Sequence, residues 1–195
     1  MKSVTGLTAA LIAIGILLVG GAGGWGISRA SAPARAPSHL YLTIATEDML
    51  KTDVGPAVLP SVASVPANSD VTVTIVNFDT ATPLTGQYVK YATATGIAGK
   101  FSVEPINLSN PNGPATSPAQ TLDAIDPTLV SHTFTIPGLN LNVPLLASSR
   151  TTFTFHVGNT GAFEWHCMDP CGTGPEGWSG AMSQQGYMGG MLSVV

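Results

Sequence analysis

The chain has 195 residues, which is enough for one domain with a hydrophobic core and for accessory segments. Only 9% of the residues are Asp, Glu, Lys or Arg, against about 25% in an average soluble domain. The net charge is −4 and no basic stretch is present, so the chain has little with which to neutralise nucleic-acid phosphates. Composition therefore excludes nucleic acid as the partner.

The N-terminal segment contains an apolar run without charge from Val4 to Ile27. A secretory signal has a shorter apolar core of roughly 7–15 residues, whereas about 20 residues span a bilayer as a helix. Residues 1–30 are therefore predicted to be a transmembrane anchor. The sequence Ala30-Ser31-Ala32 resembles a signal cleavage site, so a cleaved and secreted form remains the alternative.

A Pro/Ala/Ser-rich linker at residues 31–38 is expected to hold the rest of the chain away from the membrane. Both interpretations of the N-terminus take the remaining residues, 39–195, out of the cytoplasm. The membrane is thus one expected partner, with the domain on its extracytoplasmic side.

Beyond the linker, apolar and polar residues alternate, which is typical of half-buried β-strands. Short alternating segments punctuated by Gly, Pro and Asn predict an all-β sandwich or small barrel. The predicted strands are His39–Thr46, Asp70–Asp79, Ser131–Ile136, Thr151–Val157, Ala162–Cys167 and Met191–Val195.

The alternation breaks down at about residues 80–130, which are rich in Pro, Asn, Thr, Ala and Gly. We interpret this stretch as a long insertion, with irregular strands expected around Gln87–Ala92 and Gly99–Val103. A long irregular segment in a compact domain is usually functional or mobile.

Strand alternation separates the four histidines into two groups. His39, His156 and His166 share a strand face with polar residues and are expected on the surface. His132 shares its face with apolar residues, as does Cys167. An inward imidazole near an inward thiolate is the donor set that copper prefers for electron transfer, completed by a weak thioether.

Several segments resemble the cupredoxin (blue copper) family: Val65–Asp79, Ser131–Ile136, Thr151–Phe155, Phe163–Cys167 and Gly186–Val195. The likeness covers roughly residues 39–79 and 131–195. It implies a cupredoxin-type Greek-key β-sandwich, preceded here by one transmembrane helix. It also implies that His132, Cys167 and Met188 are copper ligands, with Met188 as the axial thioether.

One departure from the blue copper pattern lies in the loop after Cys167, which contains no second histidine ligand. Cys171 stands four residues after Cys167, a spacing similar to the copper domain of cytochrome oxidase subunit II, where two thiolates bridge two coppers. That domain has a histidine at the position of Pro175 in this chain. The site is thus a variant of both patterns and takes one or two copper ions.

Three hypotheses for the cysteines follow. In the first, both cysteines bind one or two copper ions together with His132 and a methionine. In the second, Cys167 alone binds copper, with His166, water or Cys171 completing the site. In the third, Cys167 and Cys171 form a disulfide and the fold binds no metal. Met182 is the alternative axial ligand, while Met168 and Met191 are interpreted as packing residues.

The resemblance implies an electron carrier that serves a terminal oxidase or another redox protein, such as a cytochrome, in a respiratory chain. A copper chaperone or assembly module holding Cu(I), and a metal-free sandwich, are the alternatives. The sequence lacks a nucleophile–base pattern and the His-Cys-His spacing of copper oxidases, so the chain is not expected to be an enzyme.

Overall fold

The computed structural model describes residues 38–195, which form a two-sheet β-sandwich. The described residues contain eleven strands: β1 (Ser38–Ala45), β2 (Ala57–Leu59), β3 (Val62–Val65), β4 (Ser69–Asn77), β5 (Phe101–Pro105), β6 (Gln120–Leu122), β7 (Val130–Ile136), β8 (Leu141–Leu146), β9 (Ser149–Val157), β10 (Gly161–His166) and β11 (Gly189–Val194).

Helical structure in the described residues is short. One α-helical turn, α1, spans Glu47–Leu50, and Thr46 caps it by accepting a hydrogen bond from the Met49 amide. The 3-10 helices are Gly86–Ala92, Pro127–Leu129, Pro137–Leu139, Pro175–Gly177 and Gly180–Met182.

The first sheet has six strands in the order β2-β1-β4-β9-β5-β6, and the second has five in the order β3-β11-β10-β7-β8. The pairs β1–β4 and β3–β11 are parallel, and all other neighbours are antiparallel. The chain crosses between the sheets several times, so each sheet combines strands that are distant in sequence.

The core lies between the inner faces of the two sheets. Val71, Val73 and Ile75 of β4 are fully buried, as their alternation with threonines predicts. From the other sheet, the ring of Phe134 lies 6.0 Å from Phe153 and 5.5 Å from Trp165. The Phe134–Phe153 contact joins the two sheets, and the Phe134–Trp165 contact lies within the five-stranded sheet, between the strands that carry His132 and Cys167.

All six predicted strands are present, which confirms the all-β sandwich. The sequence prediction did not include β2, β3, β6 or β8. In β8, residues Leu141–Leu145 are all buried, so no alternation marks the strand. Pro144 is tolerated there because β8 lies at the edge of its sheet.

The segment predicted as an insertion supplies two strands to the six-stranded sheet. β5 pairs with β9 and β6 pairs with β5, so the strand expected around Gly99–Val103 is present. The strand expected around Gln87–Ala92 is wrong, since Gly86–Ala92 is a 3-10 helix. Only Ala92 of that helix is buried, so no buried face requires an extended conformation.

Strand β7 is buried on both faces. Its outward hydroxyls are covered by polar side chains, because Thr135 donates to Asn142 Oδ1 at 2.7 Å and Asn142 in turn donates to the carbonyls of Tyr91 and Thr93. The polar side chains of Thr135 and Asn142 therefore have partners despite their burial. This network anchors the chain after the 86–92 helix onto the strand that carries His132.

The predicted transmembrane anchor, residues 1–30, and residues 31–37 of the linker lie outside the described residues. Between residues 38 and 195, no helix has the length and apolar character needed to cross a bilayer.

Candidate metal centre

His132 enters the site from an irregular part of β7. The register with β8 shifts between Val130 and His132, and the hydroxyl of Ser131 donates to the carbonyl of Thr80. A bulge of this kind redirects the neighbouring side chains. The His132 side chain is completely buried, as predicted from its strand face.

Cys167 directly follows β10, where alternation places it on the core side with Trp165. Its backbone amide donates to the carbonyl of Met188 at 2.8 Å, and its Sγ accepts a hydrogen bond from the Thr133 amide at 3.4 Å. The thiol is 1% exposed. Sheet register therefore sets the position of this sulfur as it does that of His132.

Cys171 is positioned by the loop of residues 168–188, which folds through tight backbone contacts. The amide of Gly172 donates to the carbonyl of Gly177, and Thr173 and Ser179 exchange two backbone hydrogen bonds. A Cβ atom at Gly177 would lie 2.0 Å from the Pro170 carbonyl oxygen. Glycine is needed here because the backbones approach too closely for a side chain.

Three potential ligand atoms meet at this point. His132 Nδ1 lies 3.2 Å from Cys171 Sγ and 3.8 Å from Cys167 Sγ, and the two sulfurs are 3.8 Å apart. All three atoms lie within 4.8 Å of one another, and both cysteines are free thiols. A thioether sulfur also lies near this group, with Met182 Sδ 3.4 Å from Cys171 Sγ.

Asp79 holds the other nitrogen of His132. Its Oδ2 lies 3.0 Å from His132 Nε2, so Nε2 carries the proton and Nδ1 faces the sulfurs. The Asp79 amide donates to Asn77 Oδ1, and Asp79 Oδ1 accepts from the Thr80 amide. A carboxylate behind an imidazole in this way fixes the orientation and tautomer of a metal-binding histidine.

The site favours a charge pair between His132 and Cys167. Burial by itself would lower the pKa of His132, but hydrogen bonds to Asp79 and Cys167 outweigh it and raise the pKa to about 9. Burial would also raise the pKa of Cys167, but hydrogen bonds from Cys171 and His132 hold it well below its usual range. The lowered pKa of Cys167 favours its thiolate, the form that binds metals.

Asp169 is a buried carboxyl group on the same loop. Neither of its carboxylate oxygens has a hydrogen-bond partner among the described residues, and the side chain is inaccessible to solvent. Burial, together with the nearby negative charge of Cys167, raises the pKa of Asp169 to about 8. The group is thus neutral at pH 7, as its lack of partners requires.

The donor set matches a soft transition-metal ion. Ligand atoms about 2.0–2.3 Å from one ion lie roughly 3.5–4 Å apart when they surround it in a plane. The Cys167–Cys171 sulfur–sulfur distance and the His132–Cys167 nitrogen–sulfur distance, both 3.8 Å, agree with this spacing, whereas His132 Nδ1 lies closer to Cys171 Sγ, at 3.2 Å. Cysteine sulfurs, an imidazole and a thioether are ligand types that bind copper. In the metal-free site Cys171 is the thiol partner, because the hydrogen bond with Cys167 and burial raise its pKa.

The structure thus brings together His132, Cys167 and Cys171, three residues singled out from the sequence. Met188 is fully buried, and its backbone carbonyl accepts a hydrogen bond from the Cys167 amide. The side chain of Met182 contacts Cys171. Outside the centre lie the three histidines with exposed side chains, as predicted: His39, His156 and His166.

Sequence reasoning missed two carboxyl groups at the site. Asp79 lay within the Asn77-Phe78-Asp79 motif, but its proximity to His132 depends on the pairing of distant strands. Asp169 is an inward carboxylate candidate in the sequence, but the sequence gives it no role. Its position between the two cysteines was a signal that a carboxyl group would be buried with the thiolates.

No protein-family model matches the chain, and no curated protein sequence matches it. Among solved structures, auracyanin A from Chloroflexus aurantiacus, described as a "blue" copper protein, is 12% identical, with 82% of this chain and 100% of that chain covered and a TM-score of 0.38. A rusticyanin is 15% identical, with 82% and 77% covered and a TM-score of 0.37. A multicopper oxidase from Campylobacter jejuni is 11% identical, with 86% and 31% covered and a TM-score of 0.40.

The auracyanin and the Campylobacter oxidase are copper proteins by name, and all three structures are at most 15% identical to this chain. Because their TM-scores are low, the case for a metal in this chain rests on its own side chains.

Proposed function

We propose that the chain is a copper-binding electron carrier. The observation that carries the proposal is the buried cluster of His132 Nδ1 and the sulfurs of Cys167 and Cys171, all within 4.8 Å of one another. Copper supplies one-electron chemistry when it is bound by such ligands. The protein around the ion has to keep the ligand geometry constant and exclude water.

The chain's residues would hold the ion in a constant geometry. His132 is fixed by Asp79, and Cys167 is fixed by the Thr133 amide and the end of β10. Ligands that cannot move make the protein's rearrangement on electron transfer small. The burial of both residues also excludes water from the ion.

We propose Met188 as the fourth, weak donor and Met182 as the alternative. Met188 is buried beside Cys167, whereas Met182 covers Cys171 on the side of a surface cavity. One imidazole and two thiolates suit a single copper ion. The second thiolate, in place of a second imidazole, should stabilise Cu(II) and lower the reduction potential.

The proposed location and redox partner of the chain come from the sequence. We propose that residues 1–30 anchor the chain in the cell membrane and that the copper domain works on the extracytoplasmic side. Its partner there would be a terminal oxidase or another redox protein of a respiratory chain. Fractionation of cells producing the full chain tests the location, since a secreted, shortened chain would contradict the anchor.

The full-length chain, reduced and metal-free, should be loaded with one equivalent of Cu(II) and examined by visible absorption and electron paramagnetic resonance. We expect an intense thiolate-to-copper band, a signal from one copper, and reversible bleaching by a reductant. Cys167→Ser should abolish the band. The variant His156→Gln, which changes an exposed histidine outside the site, is the control and should keep it.

Two other outcomes would contradict electron transfer. A protein that binds Cu(I) tightly but forms no stable coloured Cu(II) state would be a copper chaperone or assembly module. A protein that binds no copper and has no free thiols before reduction would be a metal-free sandwich with a Cys167–Cys171 disulfide. A paired-copper spectrum would retain the function and change the copper number.

A further inference from the structure

A cavity of about 430 Å³ lies beside the metal centre, on the outer face of β10 and β11. Its lining includes two thioethers and one imidazole, from Met182, Met191 and His166, together with the carboxylate of Glu164. Met191 was interpreted from the sequence as a packing residue. Its place in the cavity wall gives it access to a ligand.

Strand pairing brings these donor groups onto one face. Met191 lies directly opposite Glu164, and Gly189 lies directly opposite His166. Met191 and His166 are therefore diagonal neighbours on the same face, a separation that long side chains can bridge. The side chain of His166 is 48% exposed, so solutes can reach it.

The imidazole of His166 is oriented for binding. Its Nε2 lies 3.5 Å from Glu164 Oε2, which leaves Nδ1 on the side of Gly189. A Cβ atom at residue 189 would stand only 3.0 Å from this Nδ1. The absence of a side chain at Gly189 therefore keeps space free next to the nitrogen.

Met182 connects the cavity to the metal centre. It lines the cavity, and its Sδ lies 3.4 Å from Cys171 Sγ. One methionine thus contacts both the surface cavity and a buried ligand of the centre. His132 and Cys167 offer no such access, because both are buried.

We propose that this cavity is the entry site for Cu(I), which binds first to Met191 and His166 and passes through Met182 to Cys171. Thioether and imidazole groups suit this soft ion. Each step is a ligand exchange without change of oxidation state. The bonds to Met191 and His166 break as a bond to Met182 forms, and the bond to Met182 breaks as Cys171 binds the ion and its thiol releases a proton to water. This inference rests on the proposed copper function.

Loading kinetics test the entry site. The metal-free, reduced full chain is mixed without oxygen with the coloured Cu(I)–bicinchoninate complex, and the loss of colour gives the rate of transfer. Met191→Leu conserves volume and should slow loading by roughly tenfold, as expected for loss of a binding group near a metal site. The copper content at equilibrium should match that of the wild type.

Matched controls are available on the same chain. Met49→Leu changes an exposed methionine on α1, and His156→Gln changes an exposed histidine outside the cavity; both should load at the wild-type rate. His166→Gln should load slowly, as Met191→Leu does. Loading of Met191→Leu at the wild-type rate would overturn the proposal.

A second measurement separates failure of the entry site from failure of the copper centre. Ag(I), a soft ion that does not change oxidation state here, is titrated into the Cys167→Ser/Cys171→Ser double variant. One bound equivalent, weakened roughly tenfold by adding Met191→Leu, supports the cavity site even if the centre proves not to carry electrons. No Ag(I) binding in the folded double variant would overturn the entry site and leave the centre untouched.

Discussion

His132 is held by a strand buried on both faces, whereas Cys171 and Met182 are held by a loop with little regular structure. On the strand side, sheet pairing, a bulge and Asp79 define one imidazole position. On the loop side, residues 168–188 depend on close backbone contacts between short turns. The centre therefore combines a rigid strand side, tied to the core, with a loop side whose geometry depends on a few glycines.

Breaking the loop should have the largest effect on copper affinity. Gly177→Ala places a Cβ 2.0 Å from the Pro170 carbonyl oxygen at a φ of +74°, so the loop must rearrange and move Cys171. We expect Cu(I) affinity to fall by roughly a hundredfold, equivalent to about 2.7 kcal/mol. Competition with a chromophoric chelator measures the affinity.

Gly99→Ala is the matched control for this variant. Gly99 has a φ of +75°, and a Cβ there would have no heavy atom within 4 Å. Backbone strain alone should lower the free energy of unfolding by about 1 kcal/mol without changing copper affinity. If both variants bind copper like the wild type, the loop is not the vulnerable half.

The buried carboxyl group of the loop should make the metal-free protein sensitive to pH. The pKa of Asp169 is raised from 3.8 to about 8, so its contribution to stability is fully present below about pH 4 and is lost as the pH rises through about 8. Asp169→Asn removes this loss and should raise the free energy of unfolding at pH 7 by on the order of 3 kcal/mol.

Denaturant titrations at several pH values check this expectation, with the exposed Asp53→Asn as control. The His132–Cys167 pair should not obscure the result. Between about pH 6.5 and 9, unfolding releases a proton from His132, whose pKa is raised, and takes one up at Cys167, whose pKa is lowered. These opposite contributions largely cancel. Equal pH dependence in Asp169→Asn and wild type would contradict the assignment.

On the strand side, Asp79→Asn keeps a hydrogen-bond acceptor for His132 Nε2 but removes the charge. We expect copper affinity to fall by roughly 10–100-fold, the usual cost of losing such a partner. Asp70→Asn is the control, because Asp70 pairs with His156 on the surface at 2.9 Å. An effect as small as that of the control would mean that strand packing alone orients His132.

The smallest expected effect distinguishes the two methionines. Replacing the axial thioether with leucine removes a donor that stabilises Cu(II), so the reduction potential should rise while copper remains bound. We expect the larger rise for Met188→Leu and a smaller one for Met182→Leu, as measured by voltammetry. The reverse order would assign the axial role to Met182.

Much of the frame follows from local sequence. The alternating segments predicted six strands, and the same alternation placed His132 and Cys167 in the core and the other three histidines on the surface. These inferences succeed because side-chain direction in a strand depends only on position along it. They failed at residues 87–92, where few apolar groups are buried and a 3-10 helix forms instead.

The sequence by itself determined the two-sheet class, the inward imidazole and thiolate, and the choice of soft ligand atoms. Only the tertiary structure decided that the thioether of Met182 contacts Cys171 and that Asp79 holds His132. It also decided that Met182 joins the centre to a cavity lined by Met191 and His166. The physical reason is that alternation is a property of neighbouring residues. The distances within the site arise from strand pairing and from a glycine-rich loop whose path local preference does not specify.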